Sequence, residues 1–347
     1  MPLRKPPHNH NQLELFSALF TDVASRDTQD TLEFPFLSLS KKPRFKPIEY
    51  TSPKGLRVLV SGGEPYGIAN IWDWDLIIWL LSQVRAGIEK KECVSRKIRF
   101  SARSFLMAAR RAAGGSEYTR LEASLKRLKS TNVETTIRAK NGKSVIFSWI
   151  EYLELVRDDR GRLKEVIVVI PEWLFEAVST NSLILSLHPG YFLLTGGLER
   201  WLYRLVRKQA GNNYKGWEWK MRTLHERSGT TQRFSDFARD LRRVLEKKEL
   251  LDYRVENFRR NGEEWVRAVR TELREKQTVI LKVNEADPIN FLNLKTSTYE
   301  EAKKIAPGHD IYALESAWKK ASLQNGIELR NPDFAFLSWC RTVANSA

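Results

Sequence analysis

"RKIRFSARSFLMAARRAAGGSEYTRLEASLKRLKS", residues 96–130, sets the order strand, short helix, turn, longer helix. Its first residues alternate apolar and polar as a half-buried strand does. Small and apolar residues follow as a short helix, closed by Gly114 and Gly115. Ser116 then opens a second helix in which Leu121, Leu125 and Leu128 fall on one stripe. Beyond it, residues 133–156 and 163–175 read as strands, with turns at Asn141-Gly142 and at Asp158-Asp159-Arg160-Gly161.

The same order returns further along. Residues 190–212 predict a long helix with Leu198, Leu202 and Leu205 at helical spacing. "WEWKMR" predicts a strand, "TLHERSG" a short helix ending at Gly229, and "TQRFSDFARDLRRVLEKKEL" a second helix. A hairpin follows around Asn261-Gly262. Helix, strand, helix, helix and hairpin is the order of a winged helix, and here it is laid out twice. The predicted fold class is therefore α+β, with two tandem winged-helix domains over 51–180 and 181–285. Residues 1–50 hold six prolines among polar and basic residues and read as a flexible arm. Residues 286–347 read as a linker and a small helical region.

The longer helix of each unit carries cations opposite its apolar stripe. In the first these are Arg120, Lys126 and Arg127, with Thr119 beside them. In the second, Phe234, Phe237, Leu241 and Leu245 face inward, while Arg239, Arg243 and Lys247 face outward with Gln232 and Arg233 at the start. A helix entering the major groove needs this division, an apolar back and long donors in front. Lys140 and Lys143 in the first unit's hairpin, and Arg259 and Arg260 in the second's, are predicted to touch phosphates. The bland alternative for either helix is a solvated face in a basic protein.

Bulk charge points the same way. Lys and Arg number 58 against 42 Asp and Glu, a formal net charge of +16. A surplus of that size favours a polyanion, nucleic acid before an anionic membrane. Two distant cysteines, Cys93 and Cys340, fit a reducing cytoplasm and no disulfide framework. The strongest apolar run, residues 76–81, is too short to span a bilayer, so no membrane partner is expected. No GxxxxGK[ST] phosphate loop occurs, and the closely spaced His8 and His10 lie in the arm. No metal site, cofactor or catalytic residue is expected.

Three stretches carry a resemblance: residues 57–84 (RVLVSGGEPYGIANIWDWDLIIWLLSQV), 234–245 (FSDFARDLRRVL) and 310–343 (DIYALESAWKKA…NPDFAFLSWCRTV). The chain resembles the replication initiators of iteron-type bacterial plasmids, the replication initiator protein A group. That resemblance implies a sequence-specific binder of repeated origin DNA that opens the duplex and engages host replication proteins. It also implies a dimer formed through the first winged-helix domain. Arg239, Arg243 and Lys247 would then read the repeats, with Arg120, Lys126 and Arg127 as a second, weaker contact. The alternatives are a transcriptional regulator with the same fold and a DNA-processing enzyme.

One cluster in the arm needs its own account. Gln12, Leu13, Leu15 and Phe16 look like the QL-x-LF peptide that engages the bacterial sliding clamp, its apolar residues filling a pocket. The competing account is a turn whose Leu13, Phe16 and Phe20 pack back onto the first domain.

Overall fold

The computed structural model describes residues 14–20, 23–111, 114–139, 143–211, 213, 216–271, 294–307, 311–324 and 332–345. They fall into two compact units, Met1–Thr271 and Glu272–Ala347.

The larger unit opens with β1 (Leu15–Ser17), β2 (Arg26–Thr28), α1 (Gln29–Glu33), β3 (Ile48–Thr51) and β4 (Arg57–Gly62). Next come α2 (Trp74–Glu89), β5 (Lys97–Ser101), α3 (Ala102–Ala108) and α4 (Gly115–Ser130). β6 (Thr131–Thr135), β7 (Val145–Ser148), β8 (Tyr152–Arg157), β9 (Leu163–Val169) and α5 (Glu172–Ser179) complete its first half. The second half runs through β10 (Ile184–Ser186), α6 (Gly197–Gln209), β11 (Trp217–Lys220), α7 (Met221–Ser228) and α8 (Phe234–Leu245). It closes with β12 (Glu249–Leu250), β13 (Tyr253–Arg260) and β14 (Glu263–Arg270).

The repeated layout is visible in the pairing. The strand before each helix pair returns to the last strand of a hairpin: β5 pairs antiparallel with β9, and β11 with β14. The sheets run β1-β5-β9-β8 and β11-β14-β13-β12. In the second hairpin Asn261 and Gly262 both have positive φ, 51° and 76°, as a two-residue turn matched to strand twist requires.

The first hairpin differs from the sequence-based expectation. Strands β6 and β7, which flank Asn141-Gly142, join β3 and β4 in a separate sheet of order β3-β4-β6-β7. The hairpin that pairs back to β5 is β8–β9, turning at Asp158–Gly161. The physical reason is β9, buried from Val166 to Val169, which suits a central position; β7 is only half-buried.

Helix α2 is buried from Trp74 to Gly87 and mostly apolar, with its buried polar side chains Asp75, Ser82, Gln83 and Arg85 each hydrogen-bonded. Asn70 and Asp73 cap its start reciprocally: the Asn70 side chain accepts from the Asp73 N–H at 3.0 Å, and Asp73 accepts from the Asn70 N–H at 2.9 Å. Gly87 lies inside the helix, two residues before its end. A Cβ there would lie 2.6 Å from Val94 Cγ1 and 3.2 Å from the Phe16 ring, so glycine makes room for both.

That contact corrects the reading of the arm. Residues 14–20 are folded against the first half, and residues 23–50 against both halves. β1 pairs in parallel with β5, and Phe16 is 4% exposed. Phe20 packs on Phe16 with ring centroids 6.2 Å apart. Leu32, Phe36, Leu37 and Ile48 are buried as well. Average polarity hid them because each fills a place in a core that other elements build. Gln12 and Leu13 lie outside the described residues. Phe16 is buried rather than presented to a clamp pocket. Phe16 and Phe20 pack back onto the first domain as the competing account expected, though through a β-strand rather than a turn.

Buried ion pairs join the two halves. Asp75 accepts from Arg200 Nη1 at 2.6 Å and from Arg111 Nη2 at 2.8 Å, and is 1% exposed. Burial pushes its carboxyl up, while the two guanidinium groups pull it back. Asp27 accepts from Arg204 Nη2 at 2.8 Å and from Trp74 Nε1 at 3.1 Å. One apolar core runs from Phe16 to Ala268 across both halves.

The smaller unit holds α9 (Thr296–Ile305), α10 (Ile311–Gln324) and α11 (Pro332–Asn345). Three helices thus lie in the span expected to be a linker and a small helical region. Trp318, Phe336, Leu337 and Cys340 form its core, with Thr298 Oγ1 donating to Asp333 at 2.6 Å.

Candidate nucleic-acid interface

Helix α8 is anchored by Phe237, Ala238, Leu241 and Leu245, all buried. The apolar positions recur every three or four residues, which puts Arg239 and Arg243 on the solvent side. Their side chains are 56% and 69% exposed. Arg239 lies 3.0 Å from Asp236, and Arg243 3.9 Å from Asp240, both as exposed i,i+3 pairs. Such pairs are worth about 0–1 kcal/mol, so an incoming phosphate or guanine displaces them at little cost.

The neighbours are more committed. Gln232 Nε2 donates to Asp240 at 3.0 Å. Lys247 reaches back to Glu199, the third residue of α6, at 2.7 Å. Arg233 sits at the N-cap of α8 and is exposed. Arg242 forms a two-pronged bond with Glu264 of β14 at 2.8 and 2.6 Å, tying the helix to the hairpin. That bond holds the Glu264 carboxyl below its usual range. On the hairpin, Arg259 is exposed, while Arg260 donates to Glu218 at 2.8 Å and lies over the Trp265 ring at 5.0 Å.

Helix α4 divides differently. Leu121, Ser124, Leu125 and Leu128 are buried. Thr119 and Arg120 are exposed, Arg120 with an ion pair to Glu117 one turn back. Lys126 bonds Glu122 at 2.8 Å, and Arg157 of β8 bonds the same carboxylate at 2.8 Å. The hydrogen bond from Lys126, then that from Arg157, hold the Glu122 carboxyl below its usual range.

Arg127 is a correction. Helical spacing puts it on the outer face, yet its guanidinium grips Asp73 through two bonds of 2.8 and 2.7 Å, and Asp73 is 1% exposed. The hydrogen bond to Asp73 raises the guanidinium's already high pKa. Arg127 is a strut between α4 and the start of α2, not a reader. Lys143 is exposed but belongs to the β6–β7 hairpin, apart from the one that pairs with β5; Lys140 lies outside the described residues.

The structure adds residues the sequence did not yield. A cleft of ≈ 980 Å³ lies between α4 and the β8–β9 turn. Arg103, Arg157, Arg162 and Lys164 line it beside the already predicted Lys126 and Thr119. Glu122 and Asp158 stand in the same wall, Glu122 pairing with Lys126 and Arg157, and Asp158 with Arg162. The signal was present in "VRDDRGRLK", residues 156–164, with four cations around one hairpin turn. Two basic faces result, each made of the longer helix of a pair and the hairpin beside it. A cationic helix rimmed by a cationic hairpin matches a duplex, whose grooves alternate with phosphate ridges.

Among the described residues no helix is long and apolar enough to cross a membrane. The family model for replication initiator protein A matches residues 26–255. A protein of Wigglesworthia glossinidia brevipalpis described as a replication protein is 32% identical over 194 residues, covering 54% of this chain and 70% of that one. The crystal structure of domains 2 and 3 of RctB superposes with a TM-score of 0.54 at 14% identity, over 70% of this chain and 98% of that chain, which shows a shared fold. The matched region begins at β2, so the segment read as a flexible arm lies partly within it. This chain belongs to the replication initiator protein A family.

Proposed function

We propose that this chain is a non-enzymatic initiator of plasmid replication, acting on repeated origin DNA in the cytoplasm through two winged helices. In each, the strand–helix–helix–hairpin block is one reading unit, with α4 or α8 as the helix set into the major groove. The observation that carries this is Arg239 with Arg243, both exposed on a helix whose back is fully buried. Arg is the side chain suited to bidentate contact with guanine. Arg120 and the α4–β8–β9 cleft supply the second contact, where cations meet phosphate ridges. Several copies bound side by side would bend the duplex and lower the cost of opening a neighbouring AT-rich segment. Recruitment of the clamp through Leu15 and Phe16 forms no part of the proposal, because Phe16 is buried.

The test is selection from a pool of randomised duplexes with the full chain. A single enriched sequence is expected. Its affinity should fall by about 10³-fold between about 50 and 200 mM salt if six or more phosphates are neutralised. Retention of no duplex above background would overturn the proposal, as would cleavage of the DNA on adding Mg²⁺.

A further inference from the structure

Residues 26–48 run between the two halves and touch both along their length. At the start, Arg26 N–H donates to Ser82 of α2 at 2.8 Å, and β2 pairs with β10. At the end, Ile48 enters the sheet with β4. In between, the segment is held from both sides. On the first half, Asp30 pairs with Arg138 at 2.9 Å and Phe36 packs on Trp149. Ser38 exchanges backbone bonds with Ala69 and Ile71, and the Arg44 carbonyl accepts from Ile68 N–H at 2.8 Å. On the second half, its contacts are with α6, α7 and the turn before α8.

These contacts are continuous along the segment. Arg204 of α6 donates to Asp27 at 2.8 Å and to the Thr31 carbonyl at 2.9 Å. Gln209, at the end of α6, donates to Glu33 at 3.2 Å, and Arg227 of α7 lies 3.6 Å from the same carboxylate. The Leu39 carbonyl abuts the start of α6: a Cβ on Gly197 would lie 2.3 Å from it. Arg44 forms the knot. Its guanidinium donates to the carbonyls of Lys46 and Pro47, each at 2.8 Å, and also to that of Gly229.

Gly229 is the left-handed residue that ends α7, five positions before α8 begins, with φ 61°. A Cβ there would lie 2.8 Å from Pro35 and 2.9 Å from Ile48. The backbone of the α7–α8 turn is thus pressed directly against the segment. Meanwhile Asp73 fixes α4 to α2, and Asp75 fixes α2 to α6. Both longer helices are therefore referred to the same frame.

We propose that residues 26–48 are a clasp that sets α8 at a fixed position relative to α4, so that the chain presents the two helices as one rigid reader. Its consequence for DNA rests on the function proposed above, but the geometry itself does not. A clasp of this kind makes the spacing between two contacted grooves part of what is recognised. Two independent modules on a loose tether would tolerate different spacings.

The test measures the helices without DNA. Spin labels are placed at Thr119→Cys and Ser235→Cys, both exposed positions, in a Cys93→Ser background; Cys340 is buried. Pulsed dipolar spectroscopy on the full chain should give one narrow distance distribution. Adding Arg44→Ala and Glu33→Ala should at least double its width or add a second distance, with circular dichroism unchanged. An unchanged narrow distribution in the folded double variant overturns the clasp. If that variant does not fold, Arg44→Ala alone is measured by the same criterion. A protein that binds no duplex still answers this experiment, so failure here and failure of the DNA reading are separable.

Discussion

Asp75→Asn is expected to lower the stability of the larger unit by about 3–5 kcal/mol, the usual cost of breaking a buried ion pair from one side. The carboxylate serves two guanidinium groups, Arg200 at 2.6 Å and Arg111 at 2.8 Å. Arg200 is 4% exposed and would keep only its bonds to the Leu194 and Phe192 carbonyls. An amide can offer one acceptor where two are needed, and no charge. For a unit of this size, that loss corresponds to a fall in Tm of about 10 °C. The measurement is a thermal melt of the purified chain. A Tm unchanged within error would mean that the pair contributes nothing net, and that α2 and α6 are held by apolar packing alone.

Arg239→Ala with Arg243→Ala should have the largest effect on binding and almost none on stability. Each bidentate contact to a base is worth about 1–3 kcal/mol, so the pair should weaken binding to the selected duplex by about 10²-fold or more. The ion pairs lost, to Asp236 and Asp240, are exposed and contribute little. Alanine is also the best helix former, so α8 itself should be undisturbed. Arg127→Ala should behave in the opposite way. It leaves Asp73 buried without its partner, so Tm falls, while the preference among duplexes is kept. Gel shifts with the selected and a scrambled duplex, alongside melts, separate the two classes. Normal selective binding by the α8 double variant would remove that helix as reader.

Much of the architecture was legible because it is periodic. Leu121, Leu125 and Leu128, and Phe237, Leu241 and Leu245, stand at the spacing that buries one helix face, and all six are buried. The repetition of strand, helix pair and hairpin followed from turn residues such as Asn261-Gly262. What failed was non-local. Arg127 sits at the edge of the apolar stripe of α4, and a helical projection cannot show that Asp73, 54 positions earlier, reaches it. Two hairpins follow α4, each with a proper turn signal, and only pairing with β5 decides which one corresponds to β13–β14. The arm failed for a related reason. Composition tests whether a segment can fold alone, whereas Phe16 and Phe36 fold onto a core supplied by others.

The central claim is that α4 and α8 lie along one duplex together. It is tested most directly by attaching an iron chelate that cleaves DNA locally to Thr119→Cys or to Ser235→Cys and mapping the cuts on the selected duplex. Two separate clusters of cuts on the same bound fragment, one from each position, are the result this account predicts. Cuts from one position only, or from neither while the fragment stays bound, would contradict it.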